Sequence, residues 1–371
     1  MNHGWGVKSL QDVCSKASSN LMQKNIDPEN GLYPVFGASG FAGYIDYYVQ
    51  PKDYIGIIKD GSGVGRVSVY PKESSLLGTL QYIIPNEDMD LRYLAYALKF
   101  MNLSKYVSGA AIPHIYFKDY GKEKIAVPSL NNQIEIAKEL DKLNELIELK
   151  HNQLKDLDAL AQSIFYETFG DPIENTKGWE TKYWKDLFDT ILGKMLDKNK
   201  QNPLDKDLPY LANQNIHWGY IDFENLKTMT FSEKEIEKFS LKEGDLLICE
   251  GGESGRCAIW KNHSGHEILF QKAIHRARIK NSDIINPYFI RFWLEFEKKN
   301  DGLRNFITKS TIEHLTGEKL AKVKVHVPPI SLQNEFAAKI EAIEEQKRLI
   351  ESSIADLEIL LASRMDYWFN D

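Results

Sequence analysis

Cysteine is scarce in this 371-residue chain. Cys14, Cys249 and Cys257 make an odd number, and no two stand as C-x-x-C. That argues against a disulfide scaffold or a zinc ribbon and fits a reducing cytoplasm. Long apolar runs are missing as well: none reaches the roughly 20 residues needed to cross a bilayer. The opening "MNHGWGVKSLQ" has no apolar leader core. A cytoplasmic protein without membrane contact is therefore expected. Nucleotide and metal signatures are also lacking. There is no glycine loop ending in Gly-Lys-Ser/Thr, no G-x-G-x-x-G, no H-x-x-x-H pair and no Ser/His/Asp grouping of recognisable spacing. A chain that carries no cofactor, no metal and no catalytic centre of its own is the expectation.

What is present is repetition. The stretch "KDGSGVGRV" (Lys59–Val67) looks at first like a phosphate loop, but such a loop must follow a strand and open a helix. Here "YIGII" (Tyr54–Ile58) precedes it and the alternating "VSVYP" (Val67–Pro71) follows, so the sequence predicts a β-hairpin with a glycine-rich tip. A second such stretch, "CEGGESGRCAIW" (Cys249–Trp260), matches Gly65-Arg66 with Gly255-Arg256 at an offset of 190, and by the same offset Asp60/Gly61 with Glu250/Gly251. A longer match has an offset of 200: "IAVPSLNNQIEIAKEL" from Ile125 and "VHVPPISLQNEFAAKI" from Val325 share Val127/Val327, Pro128/Pro328, Gln133/Gln333, Glu135/Glu335 and, further on, Asp156/Asp356 and Phe169/Phe369. "GYID" occurs verbatim at Gly43–Asp46 and Gly219–Asp222. The chain is a tandem repeat.

Each copy has two parts. Residues 1–130 and 171–330 mix glycine, aromatics, short β-like runs and a few helical stretches, and read as compact mixed domains. Residues 131–170 and 331–371 read as long helices. Ile136, Leu140, Leu143, Ile147, Leu154, Leu157, Ala161 and Ile164 follow four- and three-residue steps broken only by Lys150. Phe336, Ile340, Ile343, Ile350, Ile354, Leu357, Leu361 and Trp368 do the same, broken by Lys347 and Arg364. A 3.5-residue period over some five heptads signals a coiled coil; the alternative is two amphipathic helices lying on separate cores. Related by a two-fold axis, the helices would pair antiparallel and hold the globular parts at opposite ends. The acidity resides on them: the two helical segments carry net −4 and −5 within a total of −7, which leaves +2 for the rest. The expected class is α+β: two pseudo-repeated mixed α/β domains separated by two long antiparallel coiled-coil helices.

One motif invites an enzymatic reading. "NPYF" (Asn286–Phe289) approaches the N-P-P-Y/F with which adenine methyltransferases hold a flipped base. The second proline is missing and no cofactor-binding glycine loop precedes it, so Asn286 reads as a helix cap with Pro287 in the first turn.

Taken in order, "FGASGFAGYIDYY", "DGSGVGRVSVYP", "VPSLNNQIEIA" and "FYETFGDP", with their partners "LANQNIHWGYIDF", "EGGESGRCAIW" and "VPPISLQNEFA", resemble the specificity subunits of type I restriction–modification systems over essentially the whole chain. The resemblance implies two DNA target recognition domains, each reading half of a split double-stranded site. It also implies helices that act as spacer and docking surface, two methyltransferase subunits that bring S-adenosylmethionine, and restriction/translocase subunits that join them. A fused restriction–methylation enzyme and a coiled-coil scaffold that binds no DNA are the alternatives; absent methyltransferase motifs speak against the first and the large paired domains against the second.

For DNA contact, Arg66 and Arg256 stand foremost. An arginine at a glycine-rich tip can take a guanine edge bidentately, or it can pin the turn by bonding carbonyls. Lys59, Ser62, Glu253 and Ser254 are tip neighbours. Asn213, Gln214, Asn215, His217 and Trp218 form a polar–aromatic run with base-reading chemistry, or Trp218 packs inside. Lys272, His275, Arg276 and Arg278 in "QKAIHRARIK" are basic residues on a strand-like pattern, open to phosphate contact. His114 and His314 precede the strand that leads to each helix, where a structural hydrogen bond is expected.

Overall fold

The structure, a computed structural model, describes residues 4–109, 112–195, 205–261, 267–309 and 313–370. The chain forms two compact units, one of Met1–Asn152 with Ile350–Asp371 and one of Gln153–Leu349.

Both units are built on one plan. In the first, a four-stranded antiparallel sheet runs in the order Cys14–Ser18, Leu80–Pro85, Tyr54–Ile58, Val67–Tyr70. In the second the order is Phe188–Leu192, Ile274–Ile279, Leu246–Cys249, Cys257–Ile259. Beside each lies a three-stranded sheet with one short parallel edge: Gly40–Ile45, Tyr33–Gly37, Ser75–Leu76 in the first unit and Lys227–Phe231, Lys206–Leu211, Leu269–Phe270 in the second. The central strands Tyr54–Ile58 and Leu246–Cys249 are buried along their whole length, as continuous runs of large apolar residues demand.

An amphipathic helix packs on each main sheet. Leu91–Phe100 starts at Asp90, whose side chain accepts from the Tyr93 amide. Pro287–Lys299 starts at Asn286, which accepts from the Tyr288 amide, with Pro287 in the first turn. "NPYF" is thus a helix start. Each of these starts is tied to a long helix by a fully buried glutamine. Gln133 donates to the Pro128 and Asp88 carbonyls (2.9 and 3.1 Å) and accepts from the Asp90 amide (2.8 Å). Gln333 donates to the Pro328 and Ile284 carbonyls (2.8 and 2.9 Å) and accepts from the Asn286 amide (2.9 Å). The buried amide satisfies three backbone groups at a junction where the chain cannot do so itself.

The long helices span Leu130–Phe169 and Ile330–Phe369. No glycine or proline interrupts either, so the backbone ladder continues for forty residues. Every position named in the four/three pattern is buried or half-buried. In the first unit Ile136 and Leu140 join the core with Leu361, Met365, Trp368 and Phe369. In the second, Phe165 and Phe169 pack with Phe336, Phe289 and Phe292. Within each unit an early stretch of one long helix meets a late stretch of the other, antiparallel. Two charged interruptions of the pattern are explained by this pairing: Arg364 bonds Glu139, and Lys347 bonds Asp158 at 2.7 Å. Both residues are half-buried, and their charges reach a carboxylate on the facing helix.

Candidate nucleic-acid interface

The hairpins form where the sequence predicts them. Tyr54–Ile58 pairs with Val67–Tyr70 and Leu246–Cys249 with Cys257–Ile259. Gly61, Gly63 and Gly65 all take φ between 79° and 87°, the left-handed region that favours glycine, so the alternating glycines are a demand of the turn. The tip closes through its own amides: Gly65 donates to the Ile58 carbonyl (2.8 Å) and Arg66 to the Gly63 carbonyl (3.0 Å). In the second hairpin Gly255 donates to Cys249 (2.9 Å) and Arg256 to Glu253 (3.1 Å). These bonds correct the alignment at one point. Ile58 matches Cys249, so the second tip is one residue shorter and Lys59, rather than Asp60, stands opposite Glu250. The same register follows from Ile115, which donates to the Lys59 carbonyl, and Leu315, which donates to that of Glu250.

Both arginines bond backbone carbonyls of a neighbouring turn. Arg66 Nη2 donates to the Ala38 carbonyl. Arg256 Nη2 donates to the Asn213 carbonyl (2.8 Å), and its Nη1 to Glu253 (3.1 Å). Around Arg256 the structure gathers several expected site residues. Trp218 Nε1 donates to Glu253 (2.6 Å), and Asn213 Nδ2 donates to the Gly251 carbonyl (3.0 Å). His217 stacks on Tyr220 with ring centroids 4.5 Å apart. Asn215 is buried and folds back on its own turn, accepting from the Ala212 amide and donating to the Asp222 carbonyl. Ser254 is likewise buried and donates to the Glu250 carbonyl at 3.0 Å. Gln214 and Lys272 are exposed, and Ser62 is exposed at the first tip beside Lys59, whose ammonium lies 3.6 Å from Asp60.

Of the basic residues around this strand, some of which are expected to face solvent, Lys272 does and Arg276 does not. Arg276 is buried; its guanidinium donates to the Lys238 and Ser240 carbonyls and to Asp189. Arg278 makes a bidentate pair with Asp245 at 2.8 and 2.6 Å. Alternation does put the two on one face, but the chain at Lys238–Ser240 covers that face. Burial depresses the Arg276 pKa and, on the other face, that of His275, whose Nε2 faces the Leu315 carbonyl at 3.0 Å. His114 makes the expected structural bond, with Nδ1 3.0 Å from Asp60 Oδ1 and Nε2 against the Tyr116 hydroxyl.

Sequence reasoning singled out neither Ala38, in the turn after Tyr33–Gly37, nor the exposed Phe41 of the following strand, nor the exposed Tyr220. The signal available was the shared "GYID", which places Phe41 and Tyr44 opposite His217 and Tyr220. Among the described residues no group of three or more His, Cys, Asp or Glu side chains could hold a metal ion, and no helix is long and apolar enough to cross a membrane.

With this geometry in view, the comparisons with known proteins are specific. The family model described as "Type I restriction modification DNA specificity domain" matches residues 2–159 and again 176–358. The chain is 21% identical over 267 residues to the EcoKI specificity subunit of Escherichia coli K12, covering 68% of this chain and 57% of that one. It is 24% identical over 311 residues to the MjaVIII specificity subunit of Methanocaldococcus jannaschii, covering 78% and 71%. Among solved structures, the S subunit of a type I restriction–modification system from M. genitalium superposes with a TM-score of 0.61 at 17% identity, covering 99% of this chain and 96% of that one. That likeness is one of fold.

Proposed function

The chain belongs to the family of type I restriction–modification DNA specificity proteins, and from that premise we propose that it is the sequence-reading, non-catalytic subunit of such a complex. One observation carries the reading: a single recognition framework is built twice in one chain, with the same strand order, the same hairpin and the same arginine-to-carbonyl bond, while the tip side chains differ. A duplicated frame with divergent tips suits a bipartite, asymmetric site in double-stranded DNA. The exposed Ser62 and Arg66 and the half-buried Lys59 at the first tip, and the exposed Glu253, Gln214 and Lys272 of the second copy, are the groups that would meet the duplex. Phosphate contacts would hold the register and base-edge contacts would select the sequence. S-adenosylmethionine would enter with two methyltransferase subunits docked on the long helices, and restriction/translocase subunits would join in the cytoplasm.

The test is methylome sequencing of a host that expresses the chain with methyltransferase subunits of its system. The expected result is one new split motif with two unequal halves. Labelled S-adenosylmethionine with DNA and the purified chain alone should give no transfer; transfer by the chain alone would make it an enzyme.

A further inference from the structure

The arginine bonds fall at equivalent places. Phe36 pairs with Leu76 across the parallel edge of the first small sheet, and Leu211 pairs with Phe270 in the second. The carbonyl that takes the arginine lies two residues further on in each case, at Ala38 and at Asn213. A few residues beyond, each copy sets an aromatic pair: Phe41 and Tyr44 edge-to-face at 5.0 Å, and His217 and Tyr220 stacked at 4.5 Å. In each pair one ring stands out to solvent, Phe41 at 52% and Tyr220 at 60% exposed. The partner ring, Tyr44 or His217, is half-buried and braces it.

We propose that each half reads its DNA through this braced ring, Phe41 in the first and Tyr220 in the second, and that Arg66 and Arg256 are positioning residues that hold the turn in place. The inference rests on the DNA-reading role proposed above. A carbonyl acceptor is the same whatever side chain its residue carries, so the clamp tolerates any sequence in the turn. Arg256 has little left to offer a base: its side chain is 21% exposed, both terminal nitrogens are bonded, and Nε is buried. A ring braced by a fixed neighbour loses little freedom when it meets a groove. There it can contact a thymine methyl or wedge against a base step. The exposed ring is the first of the pair in one copy, Phe41, and the second in the other, Tyr220, so the two halves present different groups at different places, which suits two different half-sites.

The experiment uses the full chain co-expressed with its methyltransferase subunits, and duplexes carrying the motif found for the wild type. Tyr220→Ala should weaken binding to that motif about tenfold and leave mismatched DNA unchanged; Phe41→Ala should do the same at the other half. Arg256→Ala should match the loss from Tyr220→Ala, Arg256→Lys should recover most of it by restoring one donor, and the salt dependence should not change. The double variant Arg256→Ala/Tyr220→Ala should bind no worse than either single, because one acts through the other. Additive losses, or a salt slope lower by about one phosphate contact, would show that Arg256 touches DNA itself. Ring variants that bind as wild type would end the reading role of the rings. A wild-type complex with no sequence preference would instead remove the premise, and this inference with it.

Discussion

The two hairpin tips are the same object with one residue's difference. Between the strand residue that anchors the turn and the arginine that follows it, the first copy has Lys59–Gly65 and the second Glu250–Gly255. The bonds that both keep run between backbone groups, or from an arginine to a backbone carbonyl. What changes is the side chain at the edge: the half-buried Lys59 lies against Asp60 where Glu250 stands opposite, and the first tip has the exposed Ser62 while the second turns Ser254 inward to the Glu250 carbonyl. Frame and reader are thus physically separable, because the frame is written in groups that every residue carries.

The largest effect that would break this separation is a change of specificity. Replacing residues 171–330 with the second domain of another family member should change one half of the methylated motif completely and leave the other half intact. Alteration of both halves on methylome sequencing would mean that the copies do not read independently.

The buried glutamines sharpen the comparison next. Gln133→Ala and Gln333→Ala each leave three backbone groups without a partner, one of them fully buried, and each should cost about 3 kcal/mol in urea unfolding. The loss is expected in the unit that holds the substituted residue, seen as a shift of one of two transitions.

The amphipathic helices differ in a way that pH should expose. Leu91–Phe100 buries no acid, whereas Pro287–Lys299 buries Glu295 and Glu297. Burial first, and Asp171 second, push the Glu297 carboxyl up to about 8. It therefore keeps its proton in the fold, and its contribution is full below the ordinary carboxylate range and is lost as pH rises through about 8. Glu297→Gln should hold the second unit's melting temperature at pH 9, where the wild type loses about 4 kcal/mol relative to pH 5. Parallel pH profiles for the two proteins would refute this.

The tip glycines give the finest distinction. A Cβ on Gly65 would meet backbone, the Ser104 amide nitrogen at 3.1 Å, while one on Gly255 would meet side chains, Leu303 Cδ1 at 3.3 Å and Lys298 Cβ at 4.0 Å. Both have positive φ. Gly65→Ala should cost about 2 kcal/mol and Gly255→Ala about 1 kcal/mol, measured by thermal unfolding.

These contrasts also mark what the sequence could reveal. The long helices were legible because their signal is local and repeated: a 3.5-residue stripe, uncut by glycine or proline, over forty residues. The hairpins were legible because each lies within one short stretch. The main sheets were not, since Cys14–Ser18 pairs with Leu80–Pro85 across a span that periodicity cannot see. Alternation placed Arg276 and Arg278 on one face without saying that the chain near Ser240 would cover it. The acceptor of Arg66 was invisible for another reason: a carbonyl belongs to every residue, and nothing in "GASGF" sets Ala38 apart.

The make-up of the first unit bears on the order in which the protein is made. Its core includes Leu361, Met365, Trp368 and Phe369, with Trp368 stacked on Trp5 and Phe369 against Tyr93. The domain that leaves the ribosome first therefore waits, with that apolar patch uncovered, until residues from the far end of the chain arrive. A stop codon just after Leu349 would spare every residue of the second unit and yet cripple the first one translated.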